Sequence, residues 1–168
     1  PWQFPYEQSG PRGEWTYGLW ANSSFQLFDG SWWDPNSGGR FIKPGATLPF
    51  LSEDDAHPGA GGEAMARRWT SPGGKFTARY NVQSQTNQGD GVKGSIWHHH
   101  RETGLYQFVI STLGGTYSEQ TEKEFETKEG DSIVFVVDRY DTISYDTVFF
   151  QTWITSESPQ TYTWATVS

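Results

Sequence analysis

Lys75-Phe76-Thr77-Ala78-Arg79-Tyr80-Asn81-Val82 alternates without a break: Phe76, Ala78, Tyr80 and Val82 are apolar or aromatic, while Lys75, Thr77, Arg79 and Asn81 are polar. Successive side chains of a strand point to opposite sides, so this period of two predicts a β-strand with one face on a core and one on solvent. The pattern extends outward from this stretch. After Gly89-Asp90-Gly91, it resumes in Val92, Gly94 and Ile96, and Tyr106, Phe108 and Ile110 then alternate with Leu105, Gln107 and Val109. Ile133 to Val137 is a continuous apolar run, the pattern of a central strand covered on both faces. Polar and aromatic residues alternate again from Tyr145 to Ile154, and Tyr162 and Trp164 suggest a closing strand.

Between these runs lie Ser71-Pro72-Gly73-Gly74, Gln88-Gly89-Asp90-Gly91, Leu113-Gly114-Gly115 and Glu129-Gly130-Asp131, read as turns. Their rhythm predicts an all-β chain, a two-sheet antiparallel β-sandwich of jelly-roll type. Glu63 to Arg68 is the one helix-like stretch. Residues 1–55 are rich in Trp, Gly, Pro, Ser and Asn and are read as aromatic-rich loops and edge strands wrapping the core sandwich of residues 56–168, with Phe25 to Phe28 the best strand among them. The whole, 1–168, is read as one domain. The start at Pro1-Trp2, without Met, suggests an excised or processed fragment.

Composition agrees. Aromatic residues make up 17% of the 168, including 9 Trp, against a single Met, and an interior built from Phe, Tyr, Trp, Val and Ile favours strands. With no Cys, disulfides and thiol chemistry are excluded. The formal charge of −8 argues against a nucleic-acid backbone or an anionic membrane surface as partner. No apolar run approaches the roughly 18–20 residues of a spanning helix.

Taken in order, His57-Pro58-Gly59, Arg67-Arg68-Trp69-Thr70-Ser71-Pro72, Gly89-Asp90-Gly91-Val92, Gly130-Asp131-Ser132-Ile133-Val134-Phe135-Val136-Val137-Asp138 and Tyr145-Asp146-Thr147 resemble segments of jelly-roll carbohydrate-binding modules attached to bacterial polysaccharide-degrading enzymes. The resemblance covers roughly residues 55–155. It implies a secreted or cell-surface setting, a polysaccharide ligand, a catalytic domain in the same parent chain and a structural Ca²⁺. Most of the same motifs also read as plain turn chemistry.

Three constellations carry candidate chemistry. A sugar ring offers an apolar C–H face, which a flat indole or phenol ring covers while its N–H or O–H reaches a hydroxyl. Trp15, Tyr17, Trp20, Trp32, Trp33 and Trp97 are the candidate platforms, with Trp20, Trp32, Trp33 and Trp97 preferred; the alternative for each is a place in the core. Trp97-His98-His99-His100-Arg101-Glu102 closes a strand, so His98 and His100 share one face and Trp97 and His99 the other. His98, His100 and Arg101 are candidate sugar-contacting groups, with a solvated hairpin or the start of a metal site as alternatives. For the implied Ca²⁺, the oxygens on offer are those of Glu53, Asp54, Asp55, Asp138, Asp141 and Asp146. Asp138 and Asp146 flank a tight connection and are preferred, against a reading as turn caps.

The chain contains no Gly-x-Ser-x-Gly, His-Glu-x-x-His or phosphate loop. The function expected is non-catalytic polysaccharide binding that holds an attached enzyme near its substrate. A lyase or hydrolase, and a structural or interaction sandwich, are the alternatives.

Overall fold

The computed structural model describes residues 14–114, 119–144 and 146–156. The closing strand expected at Tyr162 and Trp164, the chain start at Pro1-Trp2, Gly115 and Tyr145 lie outside the described residues.

The strands are β1 (Glu14–Ala21), β2 (Ser24–Leu27), β3 (Trp33–Asp34), β4 (Arg40–Ile42), β5 (Phe50–Leu51), β6 (Asp55–His57), β7 (Ala64–Ser84), β8 (Val92–His100), β9 (Leu105–Gly114), β10 (Glu119–Arg139) and β11 (Val148–Ser156). Every pairing among them is antiparallel. β7 and β10, of 21 residues each, pair along their length and run through both layers of the sandwich. In the first layer the order is β2-β1-β7-β10-β8-β9, and in the second it is β3-β4-β5-β6-β11-β7-β10.

The bend between layers corrects two sequence readings. Ser71-Pro72-Gly73-Gly74 and Glu129-Gly130-Asp131 do not separate strands; they lie inside β7 and β10, facing each other. Glu129 pairs with Pro72 and Ser132 with Thr70, so β10 carries one more residue than β7 over this interval. An extra residue bends and twists its strand. Gly130 at φ +87° and Gly73 at φ +91° adopt a backbone that side chains strain against. Ser71 and Thr127 share a hydroxyl hydrogen bond of 2.6 Å across the bend, and the Thr127 hydroxyl donates to the Gly74 carbonyl at 3.0 Å.

Crossing the bend changes which residues of β7 face inward, from Met65, Arg67 and Trp69 to Phe76, Ala78, Tyr80 and Val82. The layers meet through Tyr80, whose hydroxyl bonds that of Thr112 on β9 at 2.6 Å and whose ring sits edge-on to Phe135 of β10. Gly94 of β8 lies against the same ring: a Cβ built there would stand 2.6 Å from Tyr80 Cε2. Arg67 is fully buried yet satisfied in part by backbone, donating to the carbonyls of Ser52 (2.9 Å) and Glu53 (2.7 Å), with its guanidinium over Phe150.

Glu63 to Arg68 is not helical; from Ala64 it is strand β7, between β1 and β10. Ala and Met favour helix weakly, and two flanking strands override that preference. Ile133–Val137 is buried on both sides: Ile133, Phe135 and Val137 face the interior, while Val134 and Val136 lie with Ala64 and Ala66 beneath an outer aromatic layer.

Candidate functional site

That outer layer is formed by the first sheet's face away from the interior. Register aligns Trp20 with Phe25 and Ala64, Val134 with Trp97, and Trp97 with Phe108. Ala64, Ala66, Val134 and Val136 are short, so the rings beside them lie down across the sheet. Trp20 and Trp97 stand 4.7 Å apart, Tyr106 meets Trp20 edge-on at 5.1 Å, and Phe108 meets Trp97 edge-on at 5.4 Å. His99 stacks on Tyr106 at 4.3 Å, and the Arg68 guanidinium lies over Phe25 at 4.4 Å. Trp20 is buried under this layer and supports it from beneath; Trp97 is half-buried. Phe108 is 51% exposed; Leu105 on the same strand and Leu27 on β2, at the other edge of the layer, are also open to solvent. Trp97 Nε1 donates to Ser95 Oγ at 3.1 Å, which fixes the indole.

Trp32 and Trp33 sit elsewhere. Asp29 and Asp34 cap successive 3₁₀ turns, accepting from the Ser31 and Asn36 amides at 2.8 and 2.9 Å. Trp32 stacks on Phe28 and Trp33 meets Phe41 edge-on. Trp33, Tyr17, Phe28 and Phe41 line a cleft of about 450 Å³ with Glu14 and Asp29 among its lining residues. Trp15 and Tyr17, weighed as platforms, are buried in the main core, though both also line this cleft.

The His run closes β8 at a tight hairpin, in which the Gly104 amide donates to the His100 carbonyl. His98 and His100 face away from the aromatic layer, with ring centroids 4.0 Å apart. His98 Nε2 lies 3.0 Å from Asp131 Oδ2 and His100 Nε2 lies 2.9 Å from Gln107 Oε1. Asp131, in the β10 bulge, also accepts the amides of Lys128 and Arg101, each at 3.0 Å. Burial works against the Asp131 charge, but these amides and His98 outweigh it and hold the carboxyl below its ordinary value. Burial pushes the His98 pKa down, against the pull of Asp131. The exposed Arg101 reaches this group through its backbone amide, and its side chain lies beside Gly130.

The two candidate calcium carboxylates differ. Asp146 is 1% exposed, and among the described residues neither of its oxygens has a hydrogen-bond partner. Burial, and then the charge of Asp90, raise its pKa to about 6. Paired acceptor oxygens held without donors fit a hard cation. Asp138, raised by burial, accepts its neighbour Arg139's amide at 2.8 Å. The carboxylate whose charge reaches Asp146 is that of Asp90, which accepts the Asp141 and Thr142 amides.

Sequence reasoning passed over Asp131, read as a turn residue, and Phe108 and Tyr106, read only as strand pattern. It also passed over Trp153, half-buried on the outer face of the second sheet with the Arg79 guanidinium over its ring at 4.5 Å. The signal for Trp153 was available: it is a large ring on the polar phase of an alternating strand.

No family model and no curated protein sequence matches this chain. Among solved structures it is similar to TmCBM61, determined in complex with β-1,4-galactotriose, at 13% identity and a TM-score of 0.41, over 85% of this chain and 88% of that one.

Proposed function

We propose that this chain is a non-catalytic domain that binds a neutral polysaccharide across the outer aromatic face of its first sheet. The observation that supports the reading is Phe108, half exposed on a sheet face, held edge-on by Trp97, which itself packs on buried Trp20. Rings fixed before binding lose little freedom when a sugar covers them. His99 and Arg68 supply polar groups beside them. A net charge of −8 favours a neutral chain over a uronate or sulfated one.

In this reading the domain works by proximity, keeping an attached catalytic domain near its substrate outside the cell. A structural Ca²⁺ belongs to the same reading, with Asp146 as a ligand; a divalent charge there would offset the buried carboxylate.

Native affinity electrophoresis through gels loaded with neutral plant glycans or with acidic ones tests this. Retardation by a neutral glycan, abolished in Phe108→Ala, is expected. Retention in Phe108→Ala with loss in Trp33→Ala would move the site to the Trp33 cleft. No retardation by any glycan refutes the reading, and release of reducing ends by the chain alone would replace it with catalysis.

A further inference from the structure

We propose that His98, His100 and Asp131 form a binding site for a divalent transition-metal ion of the zinc type, independent of the sugar-binding face. Two of the chain's 4 His stand at i, i+2 on β8, and the β10 bulge delivers a carboxylate to them from the neighbouring strand. One ligand atom from each lies within 4.8 Å of the others. Two imidazoles and a carboxylate suit Zn²⁺, and three protein ligands leave a fourth tetrahedral position for water.

The geometry is close to a bound one. With metal–ligand bonds of about 2.1 Å, neighbouring ligand atoms in a tetrahedral site are about 3.4 Å apart. His98 Nε2 and Asp131 Oδ2 are 3.0 Å apart with a proton between them. A metal ion that replaces this proton therefore needs them to separate by only a few tenths of an ångström. Both are nearly buried, at 9% and 5% side-chain exposure, and Asp131 is anchored by the Lys128 and Arg101 amides, so two ligands are pre-positioned. His100 is the adjustable third, half-buried at the hairpin, where its contact with Gln107 is exposed to exchange. The remaining histidines are occupied elsewhere: His57 Nδ1 contacts the Pro58 carbonyl oxygen and His99 stacks on Tyr106 on the opposite face.

Isothermal titration of the chelator-stripped full chain with zinc chloride tests the site, with cobalt(II) absorption reporting coordination number. The expected result is one ion per chain, a tetrahedral cobalt spectrum and a loss in affinity of about tenfold or more in His100→Ala, with His99→Gln unchanged. His100 lies at the rim, so its replacement keeps the fold, which circular dichroism verifies. Absence of binding at millimolar zinc overturns the site. So does binding that persists unchanged in both His98→Gln and His100→Ala, or that follows His99. Glycan retardation by the His100→Ala chain separates this outcome from failure of the sugar-binding reading.

Discussion

Asp146→Asn removes one charge from a buried site that disfavours it. The carboxylate is 1% exposed and both oxygens lack a donor among the described residues, with the Asp90 charge close enough to be felt. Its pKa rises from 3.8 to about 6, which corresponds to about 3 kcal/mol of native-state destabilisation once the group is ionised. The folded chain holds this proton more tightly than the unfolded chain does. Native stability from this group therefore falls as pH rises from about 4 to about 6, and the deficit is complete above that. In chelator at pH 7, Asp146→Asn should be about 3 kcal/mol more stable than the parent chain, roughly 6–12 °C in Tm for a domain of this size. At pH 4 the two should coincide. Calcium should raise the Tm of the parent chain and leave the variant unmoved, because an ion that binds only the folded state stabilises in proportion to its occupancy. Thermal unfolding by circular dichroism, at both pH values with and without calcium, provides all four comparisons. A variant no more stable than the parent at pH 7 in chelator would refute the claim that Asp146 is buried without compensation.

Gly94→Ala should cost about 1–3 kcal/mol, read as a lower urea midpoint, because the added methyl meets the Tyr80 ring at 2.6 Å and the layers cannot separate locally. Arg67→Met should cost about 3 kcal/mol by the same assay, since the Ser52 and Glu53 carbonyls lose a buried donor. Phe108→Ala should change stability by less than about 1 kcal/mol while abolishing glycan retardation, its ring being half exposed. A Phe108→Ala chain that fails to fold would place this ring in the structural core instead.

The alternation of β7, β8 and β11 was plain in the sequence, and the apolar run at Ile133–Val137 marked the strand covered twice; in β9 the alternation expected for Tyr106, Phe108 and Ile110 is broken, because a register shift sets Phe108 opposite Trp97 and Ile110 opposite Ile96. The bend was not, because Gly and Pro serve equally to end a strand and to kink one. Ser71-Pro72-Gly73-Gly74 and Glu129-Gly130-Asp131 become a bend only when seen opposite each other, a relation that spans the chain. Misreading them also hid Asp131, whose approach to His98 depends on the bulge. Trp20 and Trp97 were chosen from the sequence as rings, but which ring covers which depends on the short residues Ala64, Ala66, Val134 and Val136 beneath them. Asp146 stood out as a carboxylate beside a tight connection; that it would lack donors depends on packing no local pattern encodes.

Because β7 and β10 belong to both layers, neither layer can melt alone without tearing the strands of the other. Unfolding should therefore be all-or-none, with no half-sandwich species surviving at equilibrium. The same sharing slows assembly. Pairs such as Thr127 with Gly74 join residues 53 apart in sequence, and β8 and β9 lie in the intervening loop. The loop must close before its pairing is rewarded, which places this chain among slow, high-contact-order folders and makes the meeting of the two kinked strands the natural rate-limiting event.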